Sequence, residues 1–174
     1  MQACIFLSMQ GYSKISDALG KKEGDKVKIR GWIYRTRSSG KLAFIIVRDS
    51  SGIIQVIAEE GKLDDEEFKN AQKALIESSV VVEGIIHEDE RAPGGREIHA
   101  TSFNVIHFAE EFPITKDYSP EFLLDNRHLW LRSRKLTAVM KIRSTLTGAI
   151  HEFFRNHDFY EFHPPILQPS QCEG

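Results

Sequence analysis

The sequence predicts a mainly β protein: a small five-stranded barrel, a linker, and then a long helix and a short strand, the α+β start of a second unit. Three observations predict it. Up to residue 108, short stretches of alternating apolar and polar residues follow one another as three strands, a helix and two more strands. Between Lys26 and Arg48 there are seven Lys or Arg and no Asp or Glu, in a chain of 174 residues whose net charge is −2. Beyond residue 132 the apolar residues fall at helical spacing, in one unbroken stripe.

Residues 1–25 read as an irregular lead-in with one short helix near Ile15 to Leu19, capped by Ser13 or Ser16. Residues 26–34 alternate: Val27, Ile29 and Ile33 lie on one face, and Lys28, Arg30, Trp32 and Tyr34 on the other. Ser38-Ser39-Gly40 is turn chemistry, residues 42–48 form a second strand, and Asp49-Ser50-Ser51-Gly52 turns into a third over 53–58. Over residues 64–77 the period becomes helical through Phe68, Ala71, Leu75 and Ile76, with Asp64 and Asp65 at the favourable N-terminal end. Residues 79–87 return to β character, Ala92-Pro93-Gly94-Gly95 makes a hairpin tip, and 97–108 is the fifth strand. This is the element order of an OB barrel, the partly open Greek-key barrel whose strand 2–3 face binds oligonucleotides; a different small β-barrel fits the same pattern.

Residues 109–132 read as a hinge, with Pro113 and Pro120 flanking a stretch of little periodicity. The division is therefore 1–108 for the barrel and lead-in, 109–132 for the hinge, and 133–174 for the start of the second domain. A helix over 133–156 carries Leu136, Val139, Met140, Leu146, Ile150, Phe153 and Phe154 on one stripe, and a short strand over 159–162 precedes Pro164-Pro165. A stripe this broad needs a partner surface, from a second copy or from sequence further on.

Composition limits the classes. Hydrophobic content of 41% and charged content of 28% suit a soluble globular protein. Cys4 and Cys172, near opposite ends, read as free thiols of a reducing compartment. The first residues lack the basic flank of a signal peptide, no window has the length of a membrane span, and the seven histidines show no metal-ligand spacing. A cytoplasmic, metal-free chain is the expectation. The acid-free sheet is the functional signal: cations hold phosphates, and ring faces stack on the unpaired bases of a single-stranded loop.

The sheet residues Gly31-Trp32, Arg37, Phe44, Arg48-Asp49 and Gln55 resemble the anticodon-binding OB domain of the class IIb aminoacyl-tRNA synthetases, those for aspartate, asparagine and lysine. The stretch from Pro113 to Arg132, with His128 and Trp130, is most similar to the asparaginyl branch. The long helix with Phe159-Tyr160-Glu161-Phe162-His163-Pro164-Pro165 resembles class II motif 1, and Ser170-Gln171-Cys172-Glu173-Gly174 resembles the amino-acid-binding loop that follows.

The resemblance implies the roles. Phe44 stacks on the middle anticodon base, Gln55 reads that base's edge, Arg37 contacts the loop, and Glu97 helps read the third base. Glu173 engages the amino group of the substrate, and Pro165 with the helix stripe forms a homodimer interface. The family's motifs 2 and 3, which supply nucleotide-binding arginines, are not in these residues. The resemblance thus implies a fragment that binds the tRNA anticodon loop and has no catalytic residue and no bound cofactor of its own. Its parent would use ATP and Mg²⁺ to join asparagine to tRNA. Two alternatives are an aspartate–tRNA ligase, strict or relaxed, and a stand-alone OB-fold RNA-binding module.

Overall fold

Strand β1 (Lys26–Ser39) is long enough to serve two neighbours. In this computed structural model, which describes residues 11–114 and 118–167, its first half pairs antiparallel with β4 (Ser79–Glu88), from Lys26 opposite Ile85 to Trp32 opposite Ser79. Its second half pairs antiparallel with β2 (Leu42–Arg48), from Trp32 opposite Arg48 to Ser39 opposite Leu42. Strand β2 continues antiparallel into β3 (Ile53–Glu59), and β5 (Arg96–His107) completes the circuit between β3 and β4. The β3–β5 seam is parallel, with Gln55, Val56 and Ile57 opposite Glu97, Ile98 and His99. The order β1-β2-β3-β5-β4 is a closed barrel, so the expected OB architecture is present.

Alternation fills the interior. Ile29, Ile33, Ile45, Val47, Ile54, Val56, Val82, Ile86, Ile98 and Phe103 are all buried; buried positions alternate along β2 and β3, and on β5 a shift in register opposite β4 interrupts the alternation between Ile98 and Phe103. Gly31 lies where β1 passes from one neighbour to the other. A Cβ there would stand 2.3 Å from the Arg48 carbonyl oxygen and 2.9 Å from Val47 Cγ1. The backbones can approach this closely only because no side chain intervenes.

Helix α1 (Ile15–Leu19) covers part of the core with Ile15 and Ala18. Its cap is not Ser13 or Ser16. Lys14 occupies the cap position without a side-chain bond, and the first-turn N–H groups are taken up by the β2–β3 turn. Ile15 N–H donates to Asp49 Oδ2 at 2.9 Å, and Ser16 N–H to Ser51 Oγ at 2.9 Å. The other Asp49 oxygen accepts from the Ser51 and Gly52 N–H groups and from the Ser51 hydroxyl. One carboxylate therefore closes its own turn and caps a helix 34 residues away.

Helix α2 (Asp65–Lys73) packs Phe68 and Ala71 on the barrel, but it stops before residue 77. Leu75 and Ile76 are exposed rather than on its buried face. The chain is drawn off the helix by β1: Glu77 N–H donates to the Ile33 carbonyl at 2.7 Å, and Ile33 N–H to the Ser78 carbonyl at 2.9 Å.

The chain divides into two compact units after Pro113. In the second, the stretch expected to be a hinge holds two short helices, α3 (Pro120–Asp125) and α4 (Arg127–Trp130). Ser119 Oγ caps α3 by accepting from Phe122 N–H, with Pro120 at the first helical position. Helix α5 (Arg134–Arg155), roughly 33 Å long at 1.5 Å per residue, is capped by Ser133. Its stripe residues Val139, Met140, Leu146, Ile150, Phe153 and Phe154 are exposed. The expected strand over 159–162 does not form, because no neighbouring strand among the described residues offers a ladder of backbone partners. Instead Glu161 turns back on the helix and bonds Arg155 and His151, with His163 on its other oxygen; these contacts pull its pKa down to about 2. Pro165 is exposed and outside regular structure. Glu173, Cys4 and Cys172 lie outside the described residues.

Two outcomes follow from this packing. Gly31→Ala forces the β1–β2 contact apart, and urea denaturation should report a loss of roughly 2 kcal/mol. For Asp49, burial alone would raise the carboxyl's pKa, but the hydrogen bonds from Ser51, Ile15 and Gly52 outweigh it and hold it below the usual carboxylate range. A lowered folded pKa gives stability that is full above the unfolded value and is lost as pH falls through the folded one. Asp49→Asn should therefore lower the unfolding free energy measured in urea by about 1 kcal/mol near neutral pH and flatten its decline in acid.

Candidate nucleic-acid interface

The outer surface of β1, β2, β3 and β5 carries two parallel rows of side chains, fixed by register. The first runs Arg37 opposite Phe44, Phe44 opposite Ile57, and Ile57 opposite His99. The second runs Arg35 opposite Ile46, Ile46 opposite Gln55, and Gln55 opposite Glu97, with His87 of β4 beyond. A bulge between Ile33 and Arg35 makes these rows possible. Strict alternation from Trp32 would turn Tyr34 and Thr36 outward and send Arg35 and Arg37 to the other side. The extra residue reverses that, so both arginines join the outer face.

Phe44 is half-buried, its ring on the outer face, while Ala43, Ile45 and Val47 fill the core beside it. The Arg37 guanidinium lies 5.0 Å from the Phe44 ring centroid. Behind it, Tyr34 is flanked by the guanidinium groups of Arg35 at 5.4 Å and Arg48 at 5.6 Å. These are cation–π distances. Arg48 is tied by two bonds of 2.8 Å to Glu77, and Lys28 is paired with Glu83 at 2.7 Å. Arg35 and Arg37 have no carboxylate partner among the described residues. The basic stretch is thus partly neutralised: Lys28, Lys41 and Arg48 each face a carboxylate, Lys41 that of Glu60 at 4.0 Å, whereas Arg35 and Arg37 do not.

Gln55 and Glu97 are brought together across the parallel seam. Gln55 Nε2 donates to Glu97 Oε2 at 2.8 Å, and the other carboxylate oxygen lies 2.9 Å from His99 Nε2. The His99 ring meets the His87 ring at 4.0 Å between centroids, and His87 Nδ1 is 2.9 Å from Glu23 Oε1. Glu97 is only 5% exposed. It lies beneath Gln55 and His99, and both its oxygens are engaged.

Arg37, Phe44, Gln55 and Glu97 therefore share one surface. Sequence reasoning missed Arg35, because a bulge leaves no mark in an alternating pattern, and it put Tyr34 on the polar face without a role. It also missed His99, although a residue two positions after Glu97 on a strand shares its face. Among the described residues, no cluster of three or more His, Cys, Asp or Glu could hold a metal, and no helix is long and apolar enough to cross a membrane.

Comparison with known proteins bears on this surface. Residues 27–106 match the family of OB-fold nucleic acid binding domains, and residues 119–174 match the class II tRNA synthetases for D, K and N. The chain joins an OB-fold nucleic acid binding domain to the start of a class II tRNA synthetase domain. Among its relatives, the asparagine–tRNA ligase of Thermoplasma acidophilum is 49% identical over 87% of the chain, and that of Thermococcus gammatolerans 48% identical over 91%. The chain spans 35% and 37% of their respective lengths. The crystal structure of asparaginyl-tRNA synthetase from Pyrococcus horikoshii, complexed with asparaginyl-adenylate, superposes with a TM-score of 0.84 at 40% identity. That match covers 95% of this chain and 39% of the other. The aspartyl-tRNA synthetase of Entamoeba histolytica gives a TM-score of 0.78 at 25% identity, over 90% of this chain and 39% of its own.

Proposed function

We propose that this chain is the anticodon-binding barrel and the opening of the catalytic domain of an asparagine–tRNA ligase, and that the barrel grips the unpaired tip of a tRNA anticodon loop. The single observation that carries the reading is the free cation–ring pair of Arg37 and Phe44 beside the Gln55 amide on one stiff sheet. Phe44 supplies a platform for the middle anticodon base, in contacts of roughly 1–3 kcal/mol per base. Arg37 supplies positive charge and a planar donor fork for phosphate or a base edge. Gln55 reads the edge of the stacked base. Glu97 serves the same site through the side chains above it.

Asparagine is preferred to aspartate as the amino acid because asparagine ligases reach 49% identity with this chain, although the asparaginyl and aspartyl enzymes of Entamoeba histolytica, at 26% and 25%, do not separate the two. The groups that choose between the two lie beyond the described residues; so does Glu173, whose proposed partner, the amino group, is common to both amino acids. ATP and Mg²⁺ belong to the activation chemistry of the full enzyme, acting in the cytoplasm, and no described residue is assigned to hold them. The exposed stripe of α5 and Pro165 are the proposed homodimer surface.

Two measurements test the RNA reading. Titration of an anticodon stem-loop should show about tenfold weaker binding for Phe44→Ala, the low end of a lost stack; an unchanged affinity contradicts the role of the ring. The wild-type association constant should fall steeply with added salt, as counterion release requires. A flat response means that Arg35 and Arg37 do not meet phosphates.

A further inference from the structure

We infer that His99 is a further specificity-determining residue of this surface, which meets the base beside the one on Phe44 and is held in one tautomer by Glu97. The inference rests on the RNA reading above and extends it to His99, which that reading does not use.

Position comes first. His99 stands in the same row as Phe44, two strands away across Ile57. At the usual strand spacing that is about 10 Å, a distance that a splayed dinucleotide spans. Its side chain is 32% exposed, whereas Glu97 beneath it is 7% exposed. A base moving along the row from Phe44 therefore meets the imidazole and not the carboxylate.

Orientation comes second. An ionised carboxylate offers only lone pairs. Glu97 takes one amide hydrogen of Gln55 on one oxygen and approaches His99 Nε2 with the other. The imidazole proton on that edge then belongs to Nε2, and the neutral ring keeps Nδ1 as an acceptor. The same carboxylate fixes which way the Gln55 amide points, leaving its oxygen as an acceptor. Neither His99 Nδ1 nor Gln55 Oε1 has a hydrogen-bond partner among the described residues. One buried group thus presents two neighbouring acceptors of fixed direction, matched to base edges that bring N–H groups to those positions. The His87 ring backs His99 at 4.0 Å, and its bond to Glu23 keeps it there.

A purely structural His99, propping Glu97 and no more, makes a different prediction, and base preference separates the two. The full chain is titrated with stem-loop RNAs carrying each of the four bases at each loop position, using wild type, Phe44→Ala, His99→Phe and Glu97→Gln. His99→Phe keeps a ring against His87 and removes the nitrogens. It should reduce discrimination at one loop position, next to that of the Phe44-stacked base, by about tenfold, and leave discrimination at the stacked base intact. Glu97→Gln is nearly isosteric. Its single oxygen can accept from only one of the two donors, so it should blunt discrimination at both positions. Unchanged base ratios in both variants, or a uniform loss across all RNAs, overturn the assignment of His99. If Phe44→Ala weakens binding while those ratios hold, only this inference fails; if no stem-loop binds the wild-type chain, the RNA reading fails with it.

Discussion

One strand changing partners midway is the constraint on which the barrel depends. β1 hydrogen-bonds to β4 along its first half and to β2 along its second, and it can do so only if the chains pass within backbone contact at Gly31. Closure follows, because a strand with both edges occupied leaves β5 to bridge the remaining gap between β3 and β4. A closed circuit has no free register. Each inward isoleucine or valine fixes the outward neighbour on its strand, so the two rows of surface side chains are set by the packing of the core.

Charge is arranged on this frame by subtraction. The cationic stretch of β1 and β2 is uniform in sequence, but Lys28 and Arg48 are answered by Glu83 and Glu77. Of the cations that no carboxylate answers among the described residues, Arg35 and Arg37 lie against the rings of Tyr34 and Phe44, and Arg30 against that of Tyr12. The surface therefore favours a polyanion with unpaired bases over a polyanion alone. Glu97 is the exception that fits the pattern. A carboxylate on this face would repel phosphate if it were open to solvent, and here it is covered and fully hydrogen-bonded.

The barrel was legible because its signals are local: two-residue alternation, turn residues and one change of period. The candidate residues Arg37, Phe44, Gln55 and Glu97 were legible through a resemblance rather than through pattern. The parts that escaped are those decided at long range. Asp49 caps α1 from across the fold, which no local capping rule can anticipate. Helix α2 ends at Lys73, although the apolar spacing continues, because backbone bonds to Ile33 claim the next residues for β4. The bulge at Tyr34 is silent in the sequence, yet it decides which arginines face outward. The strand over 159–162 needed a ladder partner, and its residues alone could not supply one.

The stacked pair of Arg37 and Phe44 has a consequence for what an affinity at this surface measures. In the free protein the ring is already sheltered by a guanidinium 5.0 Å away. An incoming aromatic ligand therefore does not settle on a bare hydrophobic tile; it either evicts a resident cation or slides in as the second slice of a sandwich. Eviction releases the arginine to find a phosphate, whereas the sandwich keeps the ring between two planes. In both cases the observed binding constant is a difference between two occupied states, so it understates the contact that the incoming ring makes.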